Sequence, residues 1–508
     1  MTKMTKIVPA THPAEFARVP GNVTINDLPD ELIISIARFI TLNFSGNAQS
    51  TSDMRDNSLT ILRLSLCSRR FHSLVEPVLY ERFHGSWRGS PAYLEGFLLR
   101  LMKRPDLARR VRFIRWRDIL GYSFPLDCFE GGGWKEARDR IMGPCESPAE
   151  RDTWVDTVEE TSLEALVAVL LILAPNLEEL IFNSGEPVGP EPPVLRWMAP
   201  QIRRLQLEKQ LENPASLWNL RSVRLEMSPT VGYDPHCLIQ LMTIPSVEIF
   251  RVSNLHESVL SDFLHSNDLV LENIKELQLS FHCTDPDIFR RFLCRLLSLK
   301  RLYCSIDGQG DFKSYPPDLI FVPPFLEPQL EDLAISDYAT LIKGTIAVQR
   351  RLKSLASFTN LRTLKTSWGG LVGQEDIGGD LARSLSGKDV LKTSRPMADV
   401  LPTSLERLHL LGHCKSALAV ISELLKQKHR FPRLKYLNIG WQCILYHDTL
   451  IPEDPYSHIN FSKAESLECL AMCREVGVEM EMWTMRKERE TTTHTAKDEQ
   501  DGAMRETL

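Results

Sequence analysis

The feature that most restricts what this 508-residue chain can fold into is a short pattern, apolar-x-x-apolar-x-apolar, that returns from about residue 174 onward. It reads Leu177/Leu180/Phe182, Ile202/Leu205/Leu207, Leu220/Val223/Leu225, Val247/Phe250/Val252, Ile274/Leu277/Leu279 and Leu299/Leu302/Cys304. It continues through Leu330/Leu333/Ile335, Leu361/Leu364/Thr366, Leu405/Leu408/Leu410 and Leu434/Leu437/Ile439, with an earlier instance at Val111/Ile114/Trp116. The last two apolar positions alternate as a short strand with one buried face does. No single unit can bury its own apolar edge, but units stacked side by side can. The pattern therefore predicts an α/β chain whose short strands line up as one curved parallel sheet. Amphipathic stretches such as Ser162 to Leu173, Asp287 to Leu297 and Lys415 to Lys426 are expected to cover its other side as helices.

Successive instances from Leu177 stand 18 to 44 residues apart, irregular but centred on the period of a leucine-rich repeat, and the pattern resembles a degenerate member of that class. The resemblance implies an irregular solenoid over residues 105–483. The asparagine that such repeats carry after the motif is missing, so their regular polar ladder is not expected. Residues 122–160, with Gly131-Gly132-Gly133, and 368–400, rich in Gly, Ser, Asp and Lys, break the rhythm and are expected as loop insertions. Either could recognise a partner or be a tolerated insertion.

Ahead of the repeats lies a different pattern. Pro29 suits the first turn of a helix because its missing N–H would have no partner there, and Asp30 and Glu31 suit the positive end of the helix dipole. Leu32, Ile36, Phe39 and Ile40 then form an apolar stripe that Ile33 and Ala37 widen. A second helix is expected after Asn57-Ser58, carrying Leu59, Leu62 and Leu66, and a third pattern through Phe71, Leu74 and Val75 runs to Pro77. Three helices this short cannot bury all of these side chains among themselves, so some are meant for a partner or for the rest of the chain.

Leu28-Pro29-Asp30-Glu31-Leu32 at the start and Leu64-Ser65-Leu66-Cys67-Ser68-Arg69-Arg70-Phe71 at the end resemble an F-box over residues 25–83. Thr41 to Ser58 stands where that family has a short turn, and its polar composition predicts a loop. The whole chain is similar to F-box proteins with degenerate leucine-rich repeats, of the kind common in filamentous fungi. That resemblance implies docking on a Skp-type adaptor, and through it a cullin, by Leu28, Pro29, Leu32, Ile36, Leu64 and Phe71. It also implies an unidentified protein substrate held by the solenoid for ubiquitination. The alternative is a leucine-rich-repeat scaffold for protein–protein interaction without ligase function. Residues 84–104 are expected as a connecting helical segment, and 1–24 and 484–508 as disordered ends.

The strand residues that alternate with the apolar ones line the exposed sheet face. They include Arg115, Arg117, Arg204, Arg224, Arg251, Arg301, Lys365 and Arg407, with Glu179, Glu208, Glu226 and Asp332 interspersed. Of these, Arg204, Arg224, Arg251, Arg301, Lys365 and Arg407 are the candidate target-binding residues. Arginine forks suit carboxylate or phosphate groups, so an acidic or phosphorylated segment is the ligand they fit; a solvated mixed-charge face is the alternative.

Other chemistry is not signalled. There is no phosphate-binding Gly-x-x-x-x-Gly-Lys loop, no Gly-x-Ser-x-Gly elbow and no His-Glu-x-x-His helix, so no catalytic residue and no cofactor is expected. His409, His413 and Cys414 lack a second ligand cluster, so no metal is expected. A net charge of −6 gives no electrostatic case for nucleic acid, and the apolar run Ala165 to Ala174 is too short for a bilayer. The eleven cysteines are scattered, and Cys283, Cys294 and Cys304 fall in apolar segments as reduced core residues would. The expected setting is intracellular, cytoplasmic or nuclear.

Overall fold

A computed structural model describes residues 25–42, 51–86, 91–117, 170–171, 173–184, 217–227, 235–266, 270–282, 286–306, 322–337, 354–367, 371, 397–411, 417–441 and 463–482. The terminal segments 1–24 and 484–508, the stretch 122–160 and most of 368–400 lie outside these residues. The chain divides into two compact units, with the boundary between Leu79 and Tyr80.

The first unit is helical. A short 3-10 turn, Ile25–Asp27, leads to α1 (Asp30–Leu42), followed by α2 (Thr51–Leu66) and α3 (Arg69–Glu81), the last of which passes the boundary by two residues. The Pro29 carbonyl accepts from the Leu32 and Ile33 amides, so the proline opens α1 as its fixed φ predicts. Ser68 caps α3, its Oγ accepting from the Phe71 amide at 3.1 Å. Arg70 then ties the start of α3 to that of α1: its Nε donates to Asp30 at 2.9 Å and its Nη2 to the Leu28 carbonyl at 2.6 Å. Ile33, Ala37, Ile61, Phe71, Val75 and Val78 form the core. Two expectations are corrected. The second helix starts at Thr51 rather than after Ser58, because the polar run Thr51 to Ser58 propagates from the apolar turns behind it. The third continues through Pro77 to Glu81.

The second unit is an α/β array. Its strands are β1 (Arg82–Ser86), β2 (Phe113–Arg117), β3 (Glu179–Ser184), β4 (Ser222–Met227), β5 (Ile249–His256) and β6 (Glu276–His282). They continue as β7 (Arg301–Ile306), β8 (Asp332–Asp337), β9 (Thr363–Ser367), β10 (Arg407–Leu411), β11 (Tyr436–Trp441) and β12 (Glu479–Met482). Each pairs in parallel with its neighbour in chain order, giving one 12-stranded sheet in a solenoid-like arrangement. Helices α4 (Pro91–Lys103) and α5 (Pro105–Ala108) follow β1, and helices Pro235–Met242, Glu257–Ser266, Pro286–Leu293, Ala417–Lys426 and Lys463–Glu475 return the chain between or before later strands.

Register converts the sequence pattern into columns. Leu180, Val223, Phe250, Leu277, Leu302, Leu333, Leu364, Leu408 and Leu437 stand side by side, all essentially inaccessible. Each such side chain contributes about 1.5–3 kcal/mol by leaving water, so the core runs the length of the sheet.

Sequence and structure part in several places. The instance at Ile202/Leu205/Leu207 lies outside the described residues, and β3 pairs directly with β4, Leu180 beside Val223, so no strand from it stands between them. Its spacing of 18 residues to the next instance is too short for a strand and a return. The array also starts earlier than expected, at Arg82, inside the stretch assigned to the helical module. Gly85 hid this strand: it occupies an apolar position because the Trp116 ring of β2 fills the space a Cβ would need. The sheet is extended at the other end by β12, which follows a helix closed by Gly477 at φ +71, with Val478 N–H bonded to the Cys473 carbonyl at 2.8 Å. Leu371 and Met397–Val400, assigned to an insertion, are buried in the core apart from Asp399. Cys304, Cys469 and Cys473 are buried, but Cys294 is exposed, and Cys283 lies outside the described residues.

A polar ladder does exist, displaced to the turn before several of the strands. Asn273 Nδ2 donates to the carbonyls of Met242, Ile244 and Val247 at 3.0, 2.8 and 2.8 Å. Asn176 reaches Arg109, Asn360 reaches Pro328, and Ser404 reaches both Phe358 and Leu361. These side chains satisfy carbonyls of the preceding turn that the parallel strands leave open. Two residues further on, a column of charges reads Glu81, Arg112, Glu178, Arg221, Glu248, Lys275, Lys300, Glu331, Arg362, Glu406, Lys435, linked backbone to backbone. Its sign alternates at every step but Lys275 to Lys300, with ion pairs Arg112–Glu178, Lys275–Glu248 and Lys300–Glu331. Such exposed pairs contribute little stability each; opposite neighbours favour this register over a shifted one.

Candidate functional site

Two surfaces carry the candidate residues, one in each unit. In the helical unit, α1 has two apolar stripes rather than one broad one. Ile33, Ala37 and Ile40 face the core. Leu32, Ile36 and Phe39, each one position off, are 50%, 43% and 64% exposed. Helix α2 repeats the arrangement: Ile61 is buried, whereas Leu59, Leu62 and Leu66 are 36%, 44% and 72% exposed. Periodicity of i, i+4, i+7 on α1 and i, i+3, i+7 on α2 puts each outward set on one side of its helix.

Of the six residues assigned to adaptor docking, Pro29, Leu32 and Ile36 are exposed. Leu28 and Leu64 are half-buried and pack against the core. Phe71 faces inward. At 2% exposure it is the largest core side chain of the unit, held inward because it sits at the third position of α3, behind the Ser68 cap. Phe39, Leu59, Leu62 and Leu66 belong to the outward stripes instead, and the spacing that marks them was already visible.

In the sheet unit, the two rows alternating with the core columns run Arg82, Phe113, Glu179, Ser222, Ile249, Glu276, Arg301, Asp332, Thr363, Arg407, Tyr436, Glu479 and His84, Arg115, Ile181, Arg224, Arg251, Gln278, Tyr303, Ala334, Lys365, His409, Asn438, Glu481. Arg224, Arg251, Arg301, Lys365 and Arg407 all lie in these rows; Arg204 is outside the described residues. Over the middle strands the arginine forks are engaged by carboxylates of the same face, as in the mixed-charge alternative. Arg224 pairs with Glu226. Arg251 and Arg301 close on the two oxygens of Glu276, at 2.7 and 3.0 Å, and Glu276 is buried between them. A carboxylate so enclosed is satisfied by its charge partners and occupies the forks that a ligand would need. Glu276 was not singled out from the sequence, although its place just before Leu277 puts it in this row.

Aromatic rings bracket both ends of the face. The Arg82 guanidinium lies 4.9 Å from the Phe113 ring centroid, and the His84 ring 5.0 Å from it. The His409 and Tyr436 rings are 5.4 Å apart. Both histidines have their pKa lowered to about 4, first by burial and then by neighbouring cations: Arg115 and Arg82 for His84, Lys365 and Arg407 for His409. Burial, with Asp332 and Glu276 nearby, raises the Tyr303 phenol to about 12.

Among the described residues, no group of three or more His, Cys, Asp or Glu side chains is placed to hold a metal ion, and no helix is long and apolar enough to cross a membrane. His413 and Cys414 lie outside them. No family model and no curated protein matches this chain.

Proposed function

We propose that this protein is a non-catalytic substrate receptor of a Skp/cullin/F-box ubiquitin ligase. Its helical unit docks on the Skp-type adaptor, and its sheet unit holds the target protein. The observation that carries this reading is the outward apolar pair of stripes, Leu32/Ile36/Phe39 and Leu59/Leu62/Leu66, in the segment whose motifs resemble an F-box. A small helical unit with six large apolar side chains facing water is suited to a protein partner. The sheet unit complements it as a long polar face with fixed side chains, which can position a target without bond chemistry of its own. Rate enhancement then comes from raising the effective concentration of the target's lysines near the conjugating enzyme.

The test is co-purification of the intact chain with its host's Skp adaptor and cullin, beside Leu32→Ala/Ile36→Ala. An anchor residue costs about 2 kcal/mol on truncation, so each change should weaken adaptor binding roughly thirtyfold. Failure of the intact chain to retain either subunit overturns the ligase reading in favour of an interaction scaffold. Retention by the intact chain and the variant alike removes these stripes from the interface.

A further inference from the structure

The last unit of the array differs from the earlier ones in what its helix and strand bury. The return helices before it turn hydrocarbon inward: Leu260 and Phe263, then Phe292 and Leu293, then Ile421 and Leu424. In the helix Lys463–Glu475 the buried positions are Cys469 and Cys473, at 0% and 1% exposure. The strand changes with the helix. Met480 on β12 stands in register with Leu437, in the column that leucine, valine and phenylalanine fill from β3 to β11. Sulfur therefore replaces hydrocarbon on both elements of one unit.

These sulfurs are brought together and held there. Cys469 and Cys473 are four apart, which puts them on one face of the helix with Cβ atoms about 5–6 Å from each other. Cys473 Sγ donates to Met480 Sδ at 3.5 Å. Backbone bonds fix that contact from both sides. Val478 N–H reaches the Cys473 carbonyl at 2.8 Å across the turn at Gly477, and Glu479 N–H reaches the Lys435 carbonyl at 2.8 Å. Neither cysteine is in a disulfide. Met472 and Met480 are half-buried, which leaves thioether rather than thiol at the accessible rim. Burial raises the Cys473 thiol to about 11, so without a cation beside it this sulfur keeps its proton at pH 7.

We propose that Cys469, Cys473 and Met480 bind one copper(I) ion, which clips the last helix of the array to its last strand. Two sulfurs each ~2.3 Å from one metal ion stand about 3.5–4 Å apart, close to the separation that Cys473 and Met480 already have. Ligands at i and i+4 of a helix share one ion, as the two histidines of a His-x-x-x-His helix do. The donor set selects the metal. Thiolate with thioether is a soft set and favours copper(I). Among the described residues no third His, Cys, Asp or Glu joins the two thiols, so the four nitrogen, oxygen or thiolate ligands of a zinc site are not assembled. Copper enters already as copper(I), so no electron moves; each thiol releases its proton to solvent as its sulfur–copper bond forms. Strand β12 is the end of the sheet and has β11 as its one neighbour. An ion that binds only the folded unit stabilises that end.

The experiment uses the full chain, reduced and free of oxygen, with copper(I) as the probe and a chromogenic copper(I) chelator, bathocuproine disulfonate, as competitor. One equivalent per chain should be withheld from the chelator. Cys469→Ala/Cys473→Ala should lose it, whereas Cys67→Ala/Cys294→Ala, which removes two exposed thiols, should keep it. Met480→Leu conserves volume and burial, so its metal-free unfolding midpoint should stay near the parent's while copper binds at least about tenfold more weakly. With free copper(I) held about tenfold above its Kd, the Val478 and Glu479 amides should exchange about tenfold more slowly. X-ray absorption of the loaded chain should show sulfur neighbours alone. No equivalent withheld, equal retention by the Cys469/Cys473 variant, loss in the Cys67/Cys294 variant or unchanged affinity in Met480→Leu overturns the site. Nitrogen or oxygen around the copper, or zinc bound more tightly than copper(I), overturns the donor set. Unaltered exchange at Val478 and Glu479 overturns the clip.

Discussion

The two units treat the same kind of residue in opposite ways. In the sheet unit, the leucines that make the pattern conspicuous, from Leu180 to Leu437, are essentially inaccessible, because each strand buries its column against the next turn. In the helical unit, many of the apolar side chains that form the obvious stripe face water, and the core is made by their neighbours one position on. Apolar periodicity therefore reports burial only where the element has a covalently guaranteed neighbour. Where it does not, the same periodicity describes a surface.

The comparison breaks most sharply at single side chains. Phe71→Ala and Leu277→Ala remove core residues of the two units and should each cost their own unit about 2–5 kcal/mol, read as a lowered denaturant midpoint. A negligible loss for Phe71→Ala would move that ring out of the core and back to the interface.

Acid should separate the units next. His84 and His409 have folded pKa values of about 4 against 6.5 in the unfolded chain, burial being the first cause in both. Below pH 6.5 the unfolded sheet unit binds protons that the folded one refuses. The stability these rings allow is therefore intact above 6.5 and is lost progressively as pH falls toward 4. Denaturation at pH 7.5 and pH 5 should show this loss, and His409→Gln should make it smaller. An unchanged pH dependence in that variant would mean that His409 titrates normally.

The displaced ladder comes third. Asn273→Ala strips the amide from three carbonyls at once and should cost about 1–3 kcal/mol. Asn273→Asp should not rescue it, since a carboxylate cannot donate.

What the sequence disclosed follows the same division. Ten of the eleven expected instances, all but that at Ile202, coincide with β2 to β11 and were legible because apolar-x-apolar has a single meaning in a stacked sheet. Strand β1 was hidden by Gly85, whose side chain is in effect supplied by Trp116 from the next strand. The polar ladder was overlooked because Asn or Ser precedes the first apolar residue instead of following the last. The pairing of Arg251 and Arg301 was not legible, since the carboxylate on the intervening strand, Glu276, is some 25 residues from each and only register unites them. On α1 the choice between the stripe through Leu32 and the one through Ile33 is a rotation of about 100°. Composition cannot make that choice; packing against Ile61 and Phe71 does.

That rotation gives the smallest expected effect on stability and the one that sharpens the comparison most. Leu32 and Ile36 are about half exposed, so Leu32→Ala/Ile36→Ala removes little buried surface and should change the unfolding midpoint of the helical unit by no more than about 0.5 kcal/mol per site. Ile33→Ala, one position along the same helix, removes a side chain that is 1% exposed and should cost about 2–5 kcal/mol. The two variants differ in nothing but which side of α1 they strip. If both cost alike, Leu32 and Ile36 are core residues in solution and the unit has no free apolar face to offer. If they differ as expected, the first variant is a folded unit with its outer stripe erased, and any binding it loses belongs to that stripe and not to the fold.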